Sequence, residues 1–426
     1  MVLQRLVAAV FCLASVFAQA RDLSLSEAER LLGERSRELI AARRAQEVVE
    51  TQRLVAAARP NPVLSINSVG VTTSADIAGP GPFRDQRFDT TLRIDQPFER
   101  GGKRELRMDT AELLGRAARA DTFDTLRQLL AQLRSAYYDL KQSEEKLAIL
   151  QETAQLFSRT FAAAQARVKA GDLAAADAAK VQVDYERGQN DARTAQAELV
   201  RAKIALAYLI GEDRAAAELR AADAWPARTG PDPSDIERRI EFRPDVLAAK
   251  ARVEAAEKLR ELARTLRTRD VTVGALLYRF PGSNFPGQNP NSTYTVGVGV
   301  AFPLFTGYDF SGEIQRAEVE RQAAREALDK ARALAANEIR RAASDLNAVA
   351  ERLERFDTSL LAAAQRSAEA AEFAFQRGAT SVLEVLDARR TLRAVRLEAL
   401  AARADHAKAL AAWRASQTTV EMLGEK

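Results

Sequence analysis

The sequence predicts a mainly α protein with a small β part suited to a membrane, organised as two internal repeats. Three observations predict it. Ala, Leu, Arg, Glu and Gln, all strong helix formers, dominate the chain, while its 20 Gly and 13 Pro gather in a few short stretches. Landmarks recur in order at a nearly constant spacing. Extended segments alternate with period 2 over about 10–12 residues, the length of a tilted membrane-crossing strand.

The recurrence is concrete. Gly171 and Gly378 stand 207 positions apart, as do Glu38-Leu39-Ile40-Ala41-Ala42-Arg43 and Asp245-Val246-Leu247-Ala248-Ala249-Lys250. Asp139-Leu140 matches Asp345-Leu346, and Gln96-Pro97-Phe98 matches Phe302-Pro303-Leu304, one position short of that spacing. Repeats at 21–210 and 234–426 follow, joined by a linker at 211–233. That linker carries Trp225-Pro226 and Gly230-Pro231-Asp232-Pro233 and reads as a loop.

The elements follow in order. Arg5, the apolar run 6–18 and the Ala18-Gln19-Ala20 site form a signal peptide over 1–20, cleaved before Arg21. Phe11 before Cys12 is too large for a lipobox. A helix spans 24–58 and stops at Arg59-Pro60-Asn61-Pro62. Strands at 63–73 and 87–98 flank a Pro/Gly-rich loop at 74–86. Gly101-Gly102 then opens a helix to position 170, roughly 100 Å at 1.5 Å per residue. Another helix follows Gly171. The second repeat has a helix at 234–268, strands at 271–281 and 292–303 around a loop at 282–291, and helices at 311–377 and from Ser381 onward.

Composition removes several function classes. The 63 Lys and Arg nearly balance 59 Asp and Glu, so phosphate neutralisation is not indicated. One His and one Cys exclude a Cys/His zinc site and a disulfide framework, and leave His406 as the sole candidate for a Ser-His-Asp triad. No nucleophile–base pair, phosphate loop or metal cluster marks an enzyme, and no cofactor or resident metal is expected. His406 lies among Ala and Leu and reads as a surface or packing residue; Trp225 and Trp413 read as packing anchors.

The strands carry the decisive pattern. Tyr294, Val296, Val298, Val300 and Phe302 share one face; Thr295, Gly297, Gly299 and Ala301 share the other. Phe88, Leu92 and Ile94 oppose Asp89, Thr91, Arg93 and Asp95. Aromatic residues near the strand ends (Phe88, Phe98, Tyr278, Phe280, Tyr294, Phe302, Phe305, Tyr308) suit interfacial girdles. Four strands cannot close a barrel, and open edges are not tolerated in lipid, so other copies of the chain must complete it as a ring. The long helices have the same need: Leu126, Leu129, Leu130, Leu133 and Tyr137 form a stripe that must be buried coiled-coil fashion. Strand pattern alone equally fits two soluble hairpins on a periplasmic coiled-coil scaffold without a pore.

With these features in place, the chain resembles the TolC-like outer-membrane factors over essentially its whole mature length. The marks are Arg59-Pro60-Asn61-Pro62, Gln96-Pro97-Phe98-Glu99-Arg100-Gly101-Gly102-Lys103-Arg104, Phe242-Arg243-Pro244-Asp245, Phe302-Pro303-Leu304-Phe305-Thr306-Gly307, and Gly378 followed by Glu384-Val385-Leu386-Asp387-Ala388. The resemblance implies a homotrimer with a 12-stranded barrel in the outer membrane of a Gram-negative bacterium. It implies long antiparallel coiled-coil helices forming a periplasmic α-barrel whose tips close like an iris. Such proteins are passive exit ducts of tripartite efflux systems, served by a periplasmic adaptor (membrane fusion) protein and an inner-membrane pump, here expected to be of the RND type. The Gly-Gly-Lys-Arg form resembles the branch serving heavy-metal cation exporters. Similar ducts also serve type I protein secretion, and the pump decides which.

The resemblance points to a gate. Gly171 and Gly378, with Asp172 and Arg377 beside them, mark the adaptor-facing helix tips. Glu384 and Asp387 lie three apart and share a helix face. Spacing alone fits a solvated face or a complement to the helix dipole; the resemblance implies pore-facing carboxylates, two rings in a trimer. Asp177 stands six residues after Gly171, as Glu384 does after Gly378. In the family an acidic residue there holds the closed state with a Tyr and an Arg. The matching positions here are Phe375 and Thr380, so that lock cannot form, and Arg377 and Lys180 are the nearby substitutes.

Overall fold

The computed structural model describes residues 21–69, 89–232, 235–280, 282, 291–377 and 379–424. The expected signal peptide with Cys12, the loop 74–86, Phe88, nearly all of the loop 282–291, and Gly378 lie outside the described residues. The elements are β1 (Arg21–Leu23), α1 (Leu25–Arg35), α2 (Arg37–Ala57), β2 (Val63–Val69), β3 (Asp89–Phe98), α3 (Lys103–Ala170), α4 (Ala175–Leu209), β4 (Leu219–Ala221), α5 (Ile236–Glu241), α6 (Pro244–Thr265), β5 (Val271–Phe280), β6 (Thr293–Ala301), α7 (Ser311–Arg355), α8 (Leu361–Gln376), α9 (Val382–Ser416) and α10 (Val420–Gly424). The fold is mostly helical with few strands. A π turn, Phe356–Leu360, joins α7 to α8. Among the described residues no helix is long and apolar enough to cross a membrane.

The chain divides into two compact units. One comprises Arg44–Asp121 and Asp245–Arg332. It holds a four-stranded antiparallel sheet in the order β2-β3-β5-β6. The register sets Leu64 against Ile94, Ile66 against Leu92, Ile94 against Ala275, Leu92 against Leu277, Leu277 against Val296 and Ala275 against Val298. Paired residues share a face, so all of these apolar side chains fall on one side. That side is open: Val296 is 75% and Val298 77% exposed. The other face carries Ser65, Asn67, Thr91, Arg93, Asp95 and Thr295, with Gly274 opposite Asp95. Arg93 Nε pairs with Asp95 at 2.7 Å there, and a Cβ at position 274 would collide with Asp95 Oδ1.

This register corrects part of the girdle expectation. Phe98, Tyr294 and Phe302 are in phase with the apolar face and exposed. Tyr278 belongs to the polar face, opposite Thr91 and Thr295, where its hydroxyl donates to Asp89 at 2.6 Å. Phe280 shares that face, paired with Thr293. Phe305 lies beyond the strand, edge-on to Phe310 and beneath the Arg269 guanidinium.

The Gln96–Arg104 motif is the corner between β3 and α3. Gly101 and Gly102 turn the chain with φ of 78° and 71°, the left-handed region glycine adopts freely. Lys103, buried at the first position of α3, sits 2.8 Å from both oxygens of Asp270 and donates to the Thr268 carbonyl at 3.0 Å. The Arg100 amide donates to Asp270 at 2.9 Å, and Glu99 pairs with Arg107 at 2.5 Å. Gln96 reaches back to the Pro60 carbonyl at 2.9 Å. Gln96, Glu99, the Arg100 amide and Lys103 thus all make contacts at this corner.

The second unit comprises the residues up to Arg43, Thr122–Pro244, and those from Ala333 onward. The stripe read from the sequence lines its core: Leu129, Leu130, Leu133 and Tyr137 are buried with Leu23, Leu31, Leu32, Leu206, Ile210 and Leu219, and Leu126 packs against them. The Tyr137 hydroxyl lies 2.9 Å from the Leu23 carbonyl and accepts from the Asp223 amide at 3.0 Å. Burial raises its pKa. Tyr138 stacks on Trp225, whose indole donates to Glu145 at 2.9 Å; Trp413 packs with Ile339, Leu346 and Leu410. Both tryptophans are packing residues. His406 is 1% exposed, so its role is packing and not surface.

Three expectations need correction here. The helix 24–58 is two helices, broken at Ser36, which turns extended with ψ of 122°. The break seats on residues far away in sequence: a Cβ at Gly211 would lie 2.7 Å from the Arg35 carbonyl, Arg35 pairs with Glu212 at 2.5 Å, and Arg37 with Asp213. The helix 234–268 breaks likewise at Phe242-Arg243, where the buried Arg243 donates to the Ser416 carbonyl at 3.2 Å and pairs with Glu338 at 2.8 Å. The linker is not all loop: a 3-10 turn, Asp213–Glu218, leads into β4, which pairs in parallel with β1. Buried Leu23, Leu219 and Ala221 hold that two-stranded ribbon on the helices.

Candidate gate at the helix turns

The proposed site lies at the ends of α3, α4, α8 and α9. Gly171, with φ of 83°, ends α3. Its amide donates to the Val168 carbonyl at 3.1 Å and the Asp172 amide to the Arg167 carbonyl at 2.9 Å, a paired closure of the last turn. Asp172 is exposed. Asp177 lies in the first turn of α4 and takes an ion pair from Lys180 at 3.0 Å. Among the described residues no ion pair or hydrogen bond joins the Asp177 side chain to Arg377 or Thr380. Of the two substitutes considered, the structure brings Lys180 to Asp177 and not Arg377, which lies 5.2 Å over the Phe373 ring.

On the second turn, Phe375 is half-buried, and the Thr380 hydroxyl is buried without a hydrogen-bond partner among the described residues. Ser381 caps α9, its hydroxyl accepting from the Glu384 amide at 3.3 Å. Glu384 and Asp387 are both exposed on one side of α9, while Leu386 between them is buried. Among the described residues neither carboxylate has a cationic partner. No group of three or more potential metal ligands exists among the described residues.

Sequence reasoning missed the strongest polar contact of the region. Asp184 of α4 is 4% exposed, and Arg390 of α9 holds it with both arms of its guanidinium, Nε at 3.1 Å and Nη2 at 2.5 Å. Arg393 pairs with Asp191 at 3.1 Å and Arg396 with Glu152 at 3.4 Å. Leu386 packs with Phe157, Ala164 and Val181, flanked by Phe161, Tyr185 and Leu383. The available signal was an acid and an arginine near matched positions of the two repeats.

Known proteins share both sequence and fold with this chain. The sequence profile described as outer membrane efflux protein matches residues 30–212 and again 236–416. The cobalt-zinc-cadmium resistance protein CzcC of Cupriavidus metallidurans is 27% identical over 320 residues, 73% of this chain and 72% of that one. The nickel-cobalt-cadmium resistance protein NccC of Alcaligenes xylosoxydans xylosoxydans is 28% identical, over 64% of this chain and 60% of that one. Solved CusC, a transmembrane channel, superposes with a TM-score of 0.77 over 93% of this chain and 92% of its own, at 17% identity, a likeness of fold. With most of its length matched by the profile, the chain belongs to the outer membrane efflux protein family, whose members are passive outer-membrane channels and not enzymes.

Proposed function

We propose that three copies of this chain form one exit duct, a 12-stranded barrel in the outer membrane continued by a helical tube in the periplasm. The carrying observation is the sheet. Its outward apolar face is bare, and β2 and β6 leave both of its edges without a partner strand among the described residues. In lipid such edges need strands from further copies. The chain is read as two repeats, 21–210 and 234–426, after a removable signal peptide at 1–20, with 211–233 as connection. The two separate matches to one profile support the duplication. So do the helix breaks at Ser36 and Arg243, which stand at matched positions and are both buried.

A periplasmic adaptor and an inner-membrane pump of the RND type supply solute and energy. Divalent metal cations are the proposed cargo, since relatives matched over much of the chain are metal resistance proteins. Gly171, Asp172, Arg377 and Gly378 form the adaptor-facing tips. Glu384 and Asp387 line the mouth as two carboxylate rings, with Asp177, Phe375 and Thr380 at the constriction. Cations pass these rings without capture, as oxygen ligands on separate chains make a weak, open site.

Two measurements test this. Protein extracted from outer membranes in mild detergent should have about three times the mass of the mature chain; a monomer would refute the shared barrel. Deletion should sensitise the host to cobalt, zinc and cadmium, with rescue by the intact gene; unchanged tolerance in a host without a substitute duct would refute metal cargo.

A further inference from the structure

Arg93 and Asp95 stand two apart on β3, so both side chains rise from the polar face of the sheet. They close on each other there. Arg93 Nε lies 2.9 and 2.7 Å from the two carboxylate oxygens of Asp95, and Nη2 adds a hydrogen bond of 2.8 Å. The carboxylate leans across to β5, onto its directly opposed partner Gly274. A Cβ at 274 would collide with Asp95 Oδ1 and come within 3.4 Å of Arg93 Nη2. The pair therefore lies along the sheet, in the space that any side chain at 274 would fill.

The backbone does not ask for glycine at 274. Its φ is not positive, and glycine weakens a strand interior. A glycine so placed marks the close approach of another group, and here that group is the ion pair. The next strand supplies the contrast. Gly299 of β6 is directly opposite Gly274, yet nothing stands within 4 Å of where its Cβ would be. Gly274 is buried under the pair, while Gly299 is exposed. The two glycines share one level and one face, and the pair rests on only one of them.

Resting on the duct reading above, which turns this face toward the lumen, we propose that Gly274 is a specificity-determining position of the duct. By giving Asp95 room to close on Arg93, it keeps three guanidinium groups, one per copy, neutralised and held against the wall. Cations leaving through the barrel then meet balanced charge and free space at this level. A ring of unpaired arginines would repel them, since such rings favour anions.

The test is single-channel current of the full-length protein in planar bilayers. At 0.1 M salt charges act over about 10 Å. There D95N should shift the reversal potential in a salt gradient toward the anion equilibrium potential, and R93Q toward that of the cation. At 1 M salt the range falls to about 3 Å, and conductance reports room instead. G274V should lower it more than G299V does, because valine at 274 adds the displaced pair to its own bulk. In an R93S/D95S background that difference should vanish. If G274V fails to assemble, G274A against G299A carries the comparison. Equal conductance of the paired glycine variants, a difference that survives R93S/D95S, or reversal potentials unmoved by both D95N and R93Q would overturn this role and leave the duct standing. Absence of current from the wild type, assembled in the bilayer, would overturn the duct and the role of Gly274 with it.

Discussion

Lys103 grips both carboxylate oxygens of Asp270 at 2.8 Å, joining the first turn of α3 to the start of β5. Lys103 is 8% exposed while Asp270 keeps a wetter side, so the pair is half-screened. Removing the amine leaves Asp270 hydrogen-bonded to the Arg100 amide alone; removing the acid's charge leaves a buried ammonium with the neutral Thr268 carbonyl and no counter-charge from position 270, the worse outcome. K103M should therefore cost about 1–2 kcal/mol and D270N about 2–3 kcal/mol. Thermal unfolding in detergent should rank wild type above K103M above D270N. Equal melting of all three would show the corner does not depend on the pair.

The same corner sets a response to acid. Burial alone would raise the Asp270 pKa; the Lys103 bond and the Arg100 amide outweigh it and hold it below the usual value. Arg107 likewise lowers Glu99. Depressed acids stabilise the fold above their unfolded pKa values, about 4, and that stability is lost as pH falls through the folded values. His406 acts at higher pH. Burial lowers its pKa, against a weaker opposite pull from the Thr229 carbonyl. Its unfolded form binds a proton near pH 6.5 while the folded form does not, so stability declines as pH drops below about 6.5. H406Q should flatten the melting profile between pH 7 and 5 and leave the acid limb below pH 4 unchanged. A parallel profile for both proteins would exclude His406 as the cause.

How much of this was legible depends on the range of the causes. The strands, the α3 stripe and the hairpin turns follow from local periodicity and glycine placement, and the sequence carries both. The break at Ser36 does not: it lies in a string of helix formers, and only docking against Glu212 and Asp213 makes interruption favourable. The break at Arg243 has a local signal in Pro244, which opens the next helix, while the burial of Arg243 against Ser416 and Glu338 has none. The β1–β4 ribbon is three residues a side, too short to show a period, and exists because Leu23 and Leu219 are buried together. Asp184 looked like any acid on a charged helix; its burial depends on a helix some 200 residues away.

The two faces of the sheet should answer a charge differently. Val298 is 77% exposed on the apolar side, and Thr91 lies on the side with Arg93 and Asp95. A lysine facing lipid near mid-membrane costs about 2–4 kcal/mol, and one facing water costs little. V298K should sharply reduce protein recovered in the outer membrane, while T91K should leave it near wild type. The reverse result would invert the proposed orientation of the sheet.

The carboxylates proposed to line the mouth offer the most direct functional prediction. Glu384 and Asp387 stand exposed on one side of α9, with no cationic partner among the described residues. In a trimeric pore they would give two rings of three negative charges less than one helical turn apart. Such rings concentrate cations at the mouth and disfavour anions, over a range of about 10 Å at 0.1 M salt. E384Q and D387N should each shift the reversal potential in a salt gradient toward zero, and the double substitution should shift it further. The shift should shrink at 1 M salt, where the screening length falls to about 3 Å. Neutralisation removes charge without volume, so conductance at high salt should stay close to wild type. A reversal potential unmoved by the double substitution at low salt would mean these carboxylates face away from the permeation path, and cation preference, if present, would have to arise elsewhere in the duct.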